Sequence, residues 1–327
     1  MLIMVTMTGC SMLGIKTIPV QELENKYYGT GSKTLELGDQ QVRYRDEGQG
    51  PVLVLIHGVC ASLHTWDGWT EQLRDHYRII RMDLPGFGLS PLSDATIYER
   101  RRAVEFLDRM FQAMGLERFY LAGNSLGGYL SWIYTDAHPE KVEKLILVDS
   151  AGFRLKMPWM MKFASTWPFS MFSRHMMPRF MMTDAVEQVY GDPGRIAPGV
   201  KERYFELAMR PGGKSDYVDI FKALGREFSK PDVSRGISEI SVPTLIMWGD
   251  KDTWIPYPEQ LEKWRRALPE AQVAIYAGAG HIPMEEMPVE TARDALAFLS
   301  PETPANGFPD AIPESGLESQ EARPSLP

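Results

Sequence analysis

The chain has 327 residues, of which 44% are apolar and 24% are charged, so it can bury a large core. Its formal net charge is −8, but the last 27 residues hold five acids and one arginine, which is −4 of that total. These values exclude a wholly disordered chain and give no sign of a basic face for nucleic acid.

Cys10 follows an apolar start to the chain and lies in the motif Met7-Thr8-Gly9-Cys10. This stretch resembles the lipobox of bacterial lipoproteins, which implies a lipid-modified Cys10 and a lipid-anchored protein of the cell envelope. A secretory signal ordinarily opens with Lys or Arg, and neither residue precedes the apolar start here. A cytoplasmic protein is therefore the alternative. We assign residues 1–32 to the signal, the lipobox and a linker.

The first strands are predicted from residues 34–37 and 41–45, which alternate in polarity on either side of Gly38-Asp39. This pattern is typical of an antiparallel hairpin at a sheet edge. Residues 52–56 are continuously apolar, as in a parallel strand that is buried on both faces. The loop from His57 onward is therefore expected at the carboxyl edge of the sheet.

Five further apolar runs are predicted to be strands, and helical spacers separate most of them. They are residues 77–82, 119–122, 142–148, 243–248 and 273–276. This alternation predicts an α/β fold with a doubly wound, mostly parallel sheet, in which ligands bind at the carboxyl ends of the strands. The predicted core comprises residues 33–150 and 241–300.

Residues 151–240 carry helical patterns without an evident buried strand, so we predict that they form an inserted helical cap. Within residues 153–182, eight methionines and seven aromatic residues accompany five cations, with no Asp or Glu. A Met-rich cap core is the simplest interpretation. A flexible lid over an apolar ligand, or contact with an anionic membrane, are the alternatives. The acidic, proline-rich residues 301–327 are predicted to be disordered.

Ser125 lies where an apolar run breaks into a helical pattern, in Gly123-Asn124-Ser125-Leu126-Gly127. A strand, a sharp turn and a helix would push its hydroxyl clear of the backbone. A serine hydroxyl is a poor nucleophile until a base takes its proton. His281, directly after the last predicted strand, is the favoured base. His57 is the main rival, although its place before Gly58 suits organisation of a loop.

The histidine in turn needs an acid that orients it. The loop after the strand at 243–248 supplies Asp250 and Asp252. Asp252 is favoured because Asp250, beside Gly249, suits capping of the tight turn. Asp149, at the end of the strand before the cap, is the remaining alternative. No metal or cofactor is expected in this site.

Together these segments resemble the α/β-hydrolase-fold serine hydrolases with a cap domain, over roughly residues 33–300. The matching pieces are His57-Gly58, the turn 83–90, the elbow at Ser125, Gly249 to Asp252 with Pro256, and Gly280-His281. The resemblance implies an oxyanion hole built from the backbone N–H groups of Val59 and Leu126. Cys60 is interpreted as a packed thiol near the pocket. A serine at the elbow argues against relatives that carry aspartate there, the epoxide hydrolases and haloalkane dehalogenases.

The resemblance predicts a carboxylic-ester hydrolase that acts on small apolar acyl or aryl esters through an acyl-enzyme. One alternative is a carbon–carbon bond hydrolase of ring-cleavage products, because the Gly123-Asn124-Ser125 elbow resembles that family as well. The other is a catalytically silent, membrane-tethered binding protein that keeps the fold.

Overall fold

A computed structural model describes residues 13–300 and contains one sheet of eight strands. The strands in chain order are β1 (Lys33–Leu37), β2 (Gln40–Glu47), β3 (Val52–Ile56), β4 (Arg78–Met82), β5 (Phe119–Asn124), β6 (Val142–Val148), β7 (Thr244–Gly249) and β8 (Gln272–Tyr276). Their order across the sheet is β1-β2-β4-β3-β5-β6-β7-β8. β2 is antiparallel to β1 and β4, and all other pairs are parallel. The predicted edge hairpin and doubly wound sheet are confirmed.

Helices cover both faces of this sheet and also form the insertion between β6 and β7. They are α1 (Val20–Leu23), α2 (Asp67–Leu73), α3 (Arg100–Ala113), α4 (Leu126–Ala137), α5 (Trp159–Ser165), α6 (Phe169–Ser173), α7 (Arg179–Val189), α8 (Val200–Ala208), α9 (Gly213–Glu227), α10 (Glu259–Ala267), α11 (Pro283–Glu286) and α12 (Pro288–Leu299). Among residues 13–300, no helix is long and apolar enough to cross a membrane.

The central strands are apolar throughout because both of their faces are buried. In β3, Val54 and Ile56 pack into a core with α3, α4 and α10, whereas Leu53 and Leu55 pack into a second core with α2 and α12. This burial explains why β3 reads as a continuous apolar run without alternation. Because β3 to β8 run parallel, their carboxyl ends lie at one edge of the sheet.

The segment before β1 differs from the linker predicted for it. In the described part, from residue 13 onward, it forms α1 and a π-helical turn at Glu24–Tyr28, and it buries Leu23 and Tyr28 completely. The Tyr28 hydroxyl donates to the buried Asp83 carboxylate at 2.5 Å. The prediction of a linker was wrong for this part of the chain. Leu23 and Tyr28 lie among polar residues in the sequence, and the residues that they contact lie far along the chain, so no local pattern indicates their burial. Cys10 and the tail from residue 301 lie outside the described residues.

The insertion between β6 and β7 consists of helices α5 to α9, with no strand among its described residues. Met160, Met161 and Met182 are buried in it, as a Met-rich core requires. Several of its large aromatic side chains are exposed instead. Packing of the methionines therefore accounts for only part of this unusual composition.

Candidate active site

Ser125 occupies a strained turn between β5 and α4. Its backbone angles are φ 54° and ψ −113°, a conformation that L-residues rarely adopt. The turn is tight because glycines flank it: a Cβ on Gly123 would lie 2.2 Å from the Gly127 carbonyl oxygen, and one on Gly127 would lie 2.1 Å from that of Ile56. Strand, turn and helix therefore present the serine at the carboxyl edge of the sheet, as the sequence predicts.

His281 and Asp252 form a buried hydrogen-bonded pair in the loops that follow β8 and β7. His281 Nδ1 lies 2.8 Å from Asp252 Oδ2. The other carboxylate oxygen, Oδ1, accepts from the backbone N–H groups of Trp254 at 2.8 Å and Ile255 at 3.0 Å. These bonds fix the carboxylate toward the imidazole, and the proton on Nδ1 leaves Nε2 as the basic nitrogen.

Ser125 and His281 line the same two small cavities, and Val59 lines both of them as well. Leu126 is the first residue of α4, so its N–H lies at the positive end of that helix. Gly58 brings the loop after β3 close to the serine, since a Cβ there would lie 3.1 Å from Ser125 Cβ. The arrangement brings the predicted nucleophile, base and oxyanion donors to one place.

A third buried side chain, Asp149, lies close to the His281–Asp252 pair. Asp149, Asp252 and His281 each place a ligand atom within 4.8 Å of the others, the kind of cluster that can hold a metal ion. The His281–Asp252 bond already joins two of its members, and Asp149 Oδ1 accepts from the Gly249 N–H at 3.0 Å. Complete burial, together with the Asp252 carboxylate, raises the pKa of Asp149 well above its usual range. Asp149 is therefore a neutral neighbour of Asp252.

His57, the rival base, is used elsewhere. Its Nε2 accepts from the Leu84 N–H at 2.9 Å, so the proton is on Nδ1, which lies 2.6 Å from the Gly58 carbonyl oxygen. Burial lowers the pKa of His57, which keeps the ring neutral. The ring therefore links the loop after β3 to the turn after β4. Asp250 also has a structural partner, since its Oδ1 accepts from the Gly278 N–H at 2.7 Å.

Two further polar residues, Asn124 and Glu286, hold the loops of the site together. Asn124 Nδ2 donates to the carbonyl oxygens of Val148 at 3.1 Å and His281 at 2.9 Å, so it ties the elbow to the histidine loop. The buried Glu286 accepts from the N–H groups of Gly191 and Gly280. The elbow motif itself pointed to Asn124, whereas Glu286 has no signal in the sequence.

A larger cavity of about 560 Å³ lies among the cap helices. It shares Cys60, Met182, Ala185 and Trp254 with the small cavity at Ser125, and it is lined almost entirely by apolar side chains. Burial raises the pKa of the Cys60 thiol, so this residue is a protonated part of the wall. The catalytic corner therefore shares part of its wall with an apolar chamber.

A strained serine and a buried histidine–aspartate pair at the same cavities, with an apolar cap, form the arrangement expected of a serine hydrolase. The alpha/beta hydrolase family matches residues 53–295, and the chain belongs to this family.

Three relatives illustrate the range of the family. The chain is 31% identical over 273 residues to Lipase 1 of Psychrobacter immobilis, covering 82% of this chain and 83% of the lipase. It is 27% identical over 270 residues to 2-hydroxy-6-oxo-6-(2'-aminophenyl)hexa-2,4-dienoic acid hydrolase of Metapseudomonas resinovorans, covering 80% and 89%. The crystal structure of a membrane phospholipase A superimposes with a TM-score of 0.69 at 27% identity, covering 86% and 89%.

Proposed function

We propose that the protein hydrolyses carboxylic esters with apolar acyl chains, using Ser125, His281 and Asp252. The observation that carries the proposal is that the catalytic residues lie next to a large apolar chamber. Ser125 and His281, the partner of Asp252, line a small cavity, and that cavity shares four wall residues with the 560 Å³ apolar chamber. An acyl chain in the chamber would place its carbonyl carbon at the serine.

In the proposed reaction, His281 Nε2 takes the Ser125 proton while Oγ attacks the acyl carbonyl carbon. The negative oxygen that forms is held by the N–H groups of Val59 and Leu126. Collapse of this intermediate expels the alcohol, which takes the proton from His281 and leaves an acyl-Ser125. A water molecule, deprotonated by His281, then releases the acid. Asp252 orients the imidazole and stabilises its charged form.

Two further points support an apolar ester. Lipase 1, at 31% identity, carries a name that states this class of activity. Lys214 is the charged residue of the chamber wall. Its ammonium group donates hydrogen bonds to the carbonyl oxygens of Gly14 at 3.0 Å and Ile15 at 2.9 Å. Since this cation is already satisfied, the chamber favours a hydrocarbon chain over a charged group.

Activity on p-nitrophenyl esters is expected to rise with acyl length from acetate upward. Each buried methylene contributes about 0.8 kcal/mol, so kcat/KM rises by up to about fourfold per methylene until the chamber is full. Met181→Trp, in the wall of the chamber but not of the cavities at Ser125, should remove this rise and spare the acetate. Asp184→Trp, at an exposed position of the same helix, is the matched control. A flat chain-length profile in the wild type would contradict the assignment of the chamber.

A second candidate is a carbon–carbon bond hydrolase of ring-cleavage products. The relative from Metapseudomonas resinovorans favours it, and Lys156 lines a small cavity at Ser125, where a substrate carboxylate would meet a cation. Comparing kcat/KM for a dienoate ketone with that for a chromogenic ester separates the two. A large preference for the ketone would overturn the ester proposal.

We also propose that Cys10 is lipidated and anchors the protein in the cell envelope. Cys10→Ser is expected to move the protein from the membrane fraction to the soluble fraction of cells, because the acyl chains supply the anchor. Cys60→Ser controls for loss of a thiol as such. An unchanged distribution of the Cys10 variant would argue for the cytoplasmic alternative.

A further inference from the structure

Large exposed apolar side chains are concentrated in one stretch of the cap. The structure describes eleven such side chains, and seven of them fall within residues 159–180. We call these seven the cap face: Trp159, Phe163, Trp167, Phe169, Met171, Phe172 and Phe180. Exposed apolar residues scattered singly are common, whereas a contiguous group marks a binding surface.

The cap face is continuous with the chamber below it. Trp159 and Phe163 lie one turn apart on α5, and the Phe163 ring stacks on Phe169 of α6 with 4.2 Å between ring centroids. Both rings line the chamber while remaining partly exposed, as does Phe180 of α7. The exposed rings therefore surround an opening through which a ligand would reach the chamber.

The sequence around the cap face contains cations but no acids, and some of these cations have no ion-pair partner in the described part of the chain. Residues 151–183 contain no Asp or Glu. Arg174 and Arg179 reach out of this stretch to ion pairs with Asp219 and Glu202. Arg154 and Lys162 are exposed and have no ion-pair partner among the described residues. An anionic surface would satisfy these two charges.

The N-terminal end of the described chain reaches the same region. A Cβ on Gly14 would lie 1.9 Å from the carbonyl oxygen of Met177, a residue of the chamber wall. Leu13 and Ile15 are exposed beside this contact. The residues that precede them in sequence are mostly apolar. Leu13 and Ile15 therefore add exposed apolar surface beside the wall of the chamber.

We propose that the cap face docks on the surface of an anionic phospholipid membrane. Its rings insert among the acyl chains, its free cations meet the lipid phosphates, and the opening of the chamber faces the lipid. A second copy of this chain is a poorer occupant, because pairing two cap faces would bring their unpaired cations together. Docking is a binding event that needs no catalysis, so its test is independent of the ester proposal.

Vesicle flotation of the Cys10→Ser protein tests the proposal without a lipid anchor. We expect binding to vesicles that contain phosphatidylglycerol and weaker binding to pure phosphatidylcholine. The double variant Trp167→Ser with Met171→Ser should weaken partitioning about tenfold, since both side chains lose their apolar contact with the lipid. Neither residue lines the chamber, so hydrolysis of a short soluble ester should stay at the wild-type level. Lys162→Glu should remove the preference for anionic vesicles.

Val289→Ser is the matched control, because Val289 is 58% exposed on α12, outside the cap, against 76% for Trp167 and 60% for Met171. It should leave vesicle binding unchanged. Absence of binding, or equal losses in the control and the double variant, would overturn the proposal. A dimer in light scattering that the double variant abolishes would assign the cap face to a second copy instead.

Discussion

Replacement of Ser125 by alanine is expected to lower kcat on a chromogenic ester by roughly 10⁴-fold or more. Loss of a triad nucleophile typically has this effect, because the oxyanion hole and substrate binding leave only a small residual rate. Alanine tolerates the turn no worse than serine does, since both carry a Cβ at φ 54°. The variant should therefore fold and bind substrate, which a thermal melt and product inhibition would check.

Ser229→Ala, at an exposed serine after α9, serves as the control and should keep full activity. A fluorophosphonate probe should label the wild type and the control, but not the Ser125 variant. Near-normal hydrolysis by the Ser125 variant would rule out the acyl-enzyme mechanism. An unlabelled wild type that is nonetheless folded would favour the silent binding protein.

Asparagine at Asp252 and at Asp149 should give opposite results, although both aspartates are buried within a few ångströms of His281. Asp252→Asn is expected to lower kcat by about 10⁴-fold, because an amide cannot hold the imidazole in the required tautomer or balance its charge. Asp149→Asn should keep kcat within about tenfold, since this side chain is already neutral and does not bond the ring. Equal losses in the two variants would show that the acids share the role.

The same Asp149 variant should change how stability depends on pH. Because the folded state raises the pKa of Asp149, it keeps a proton that the unfolded chain releases above about pH 4. The wild type therefore loses up to about 1.4 kcal/mol of unfolding free energy per pH unit on this account as the pH rises. Asp149→Asn removes the loss, so its stability relative to wild type should grow from pH 4 to pH 7 in urea titrations. Parallel profiles would contradict a neutral Asp149.

Much of the fold could be predicted because its central strands are buried on both faces. β3 and β7 consist almost wholly of apolar residues, so their burial is visible in the sequence without any partner being known. The elbow could be predicted for a related reason. Gly123 and Gly127 occupy places where a Cβ would collide with backbone, and such a requirement leaves glycine at fixed spacing around the serine.

The rest depends on contacts between distant residues that no local pattern reveals. The Tyr28–Asp83 bond spans 55 residues, and without it the segment before β1 reads as a linker. Asp149 and Asp252 are both buried, and only their hydrogen-bond partners separate the neutral acid from the one that bonds the histidine. The exposed rings of the cap were equally hidden, because hydrophobicity alone predicts burial.

The end of α7 in the cap is hydrogen-bonded to the loop that carries His281. The His281 N–H donates to the Val189 carbonyl oxygen at 2.7 Å, and Glu286 accepts from Gly191 at 2.9 Å and from Gly280 at 2.8 Å. Lifting the whole cap would displace the base together with it, so a substrate can enter with the base in place only if residues 189–191 stay attached to this loop. For the same reason, a cap segment transplanted from a relative should end before Val189. The exchange would then keep the Val189–His281 hydrogen bond and leave the base in place beside the serine.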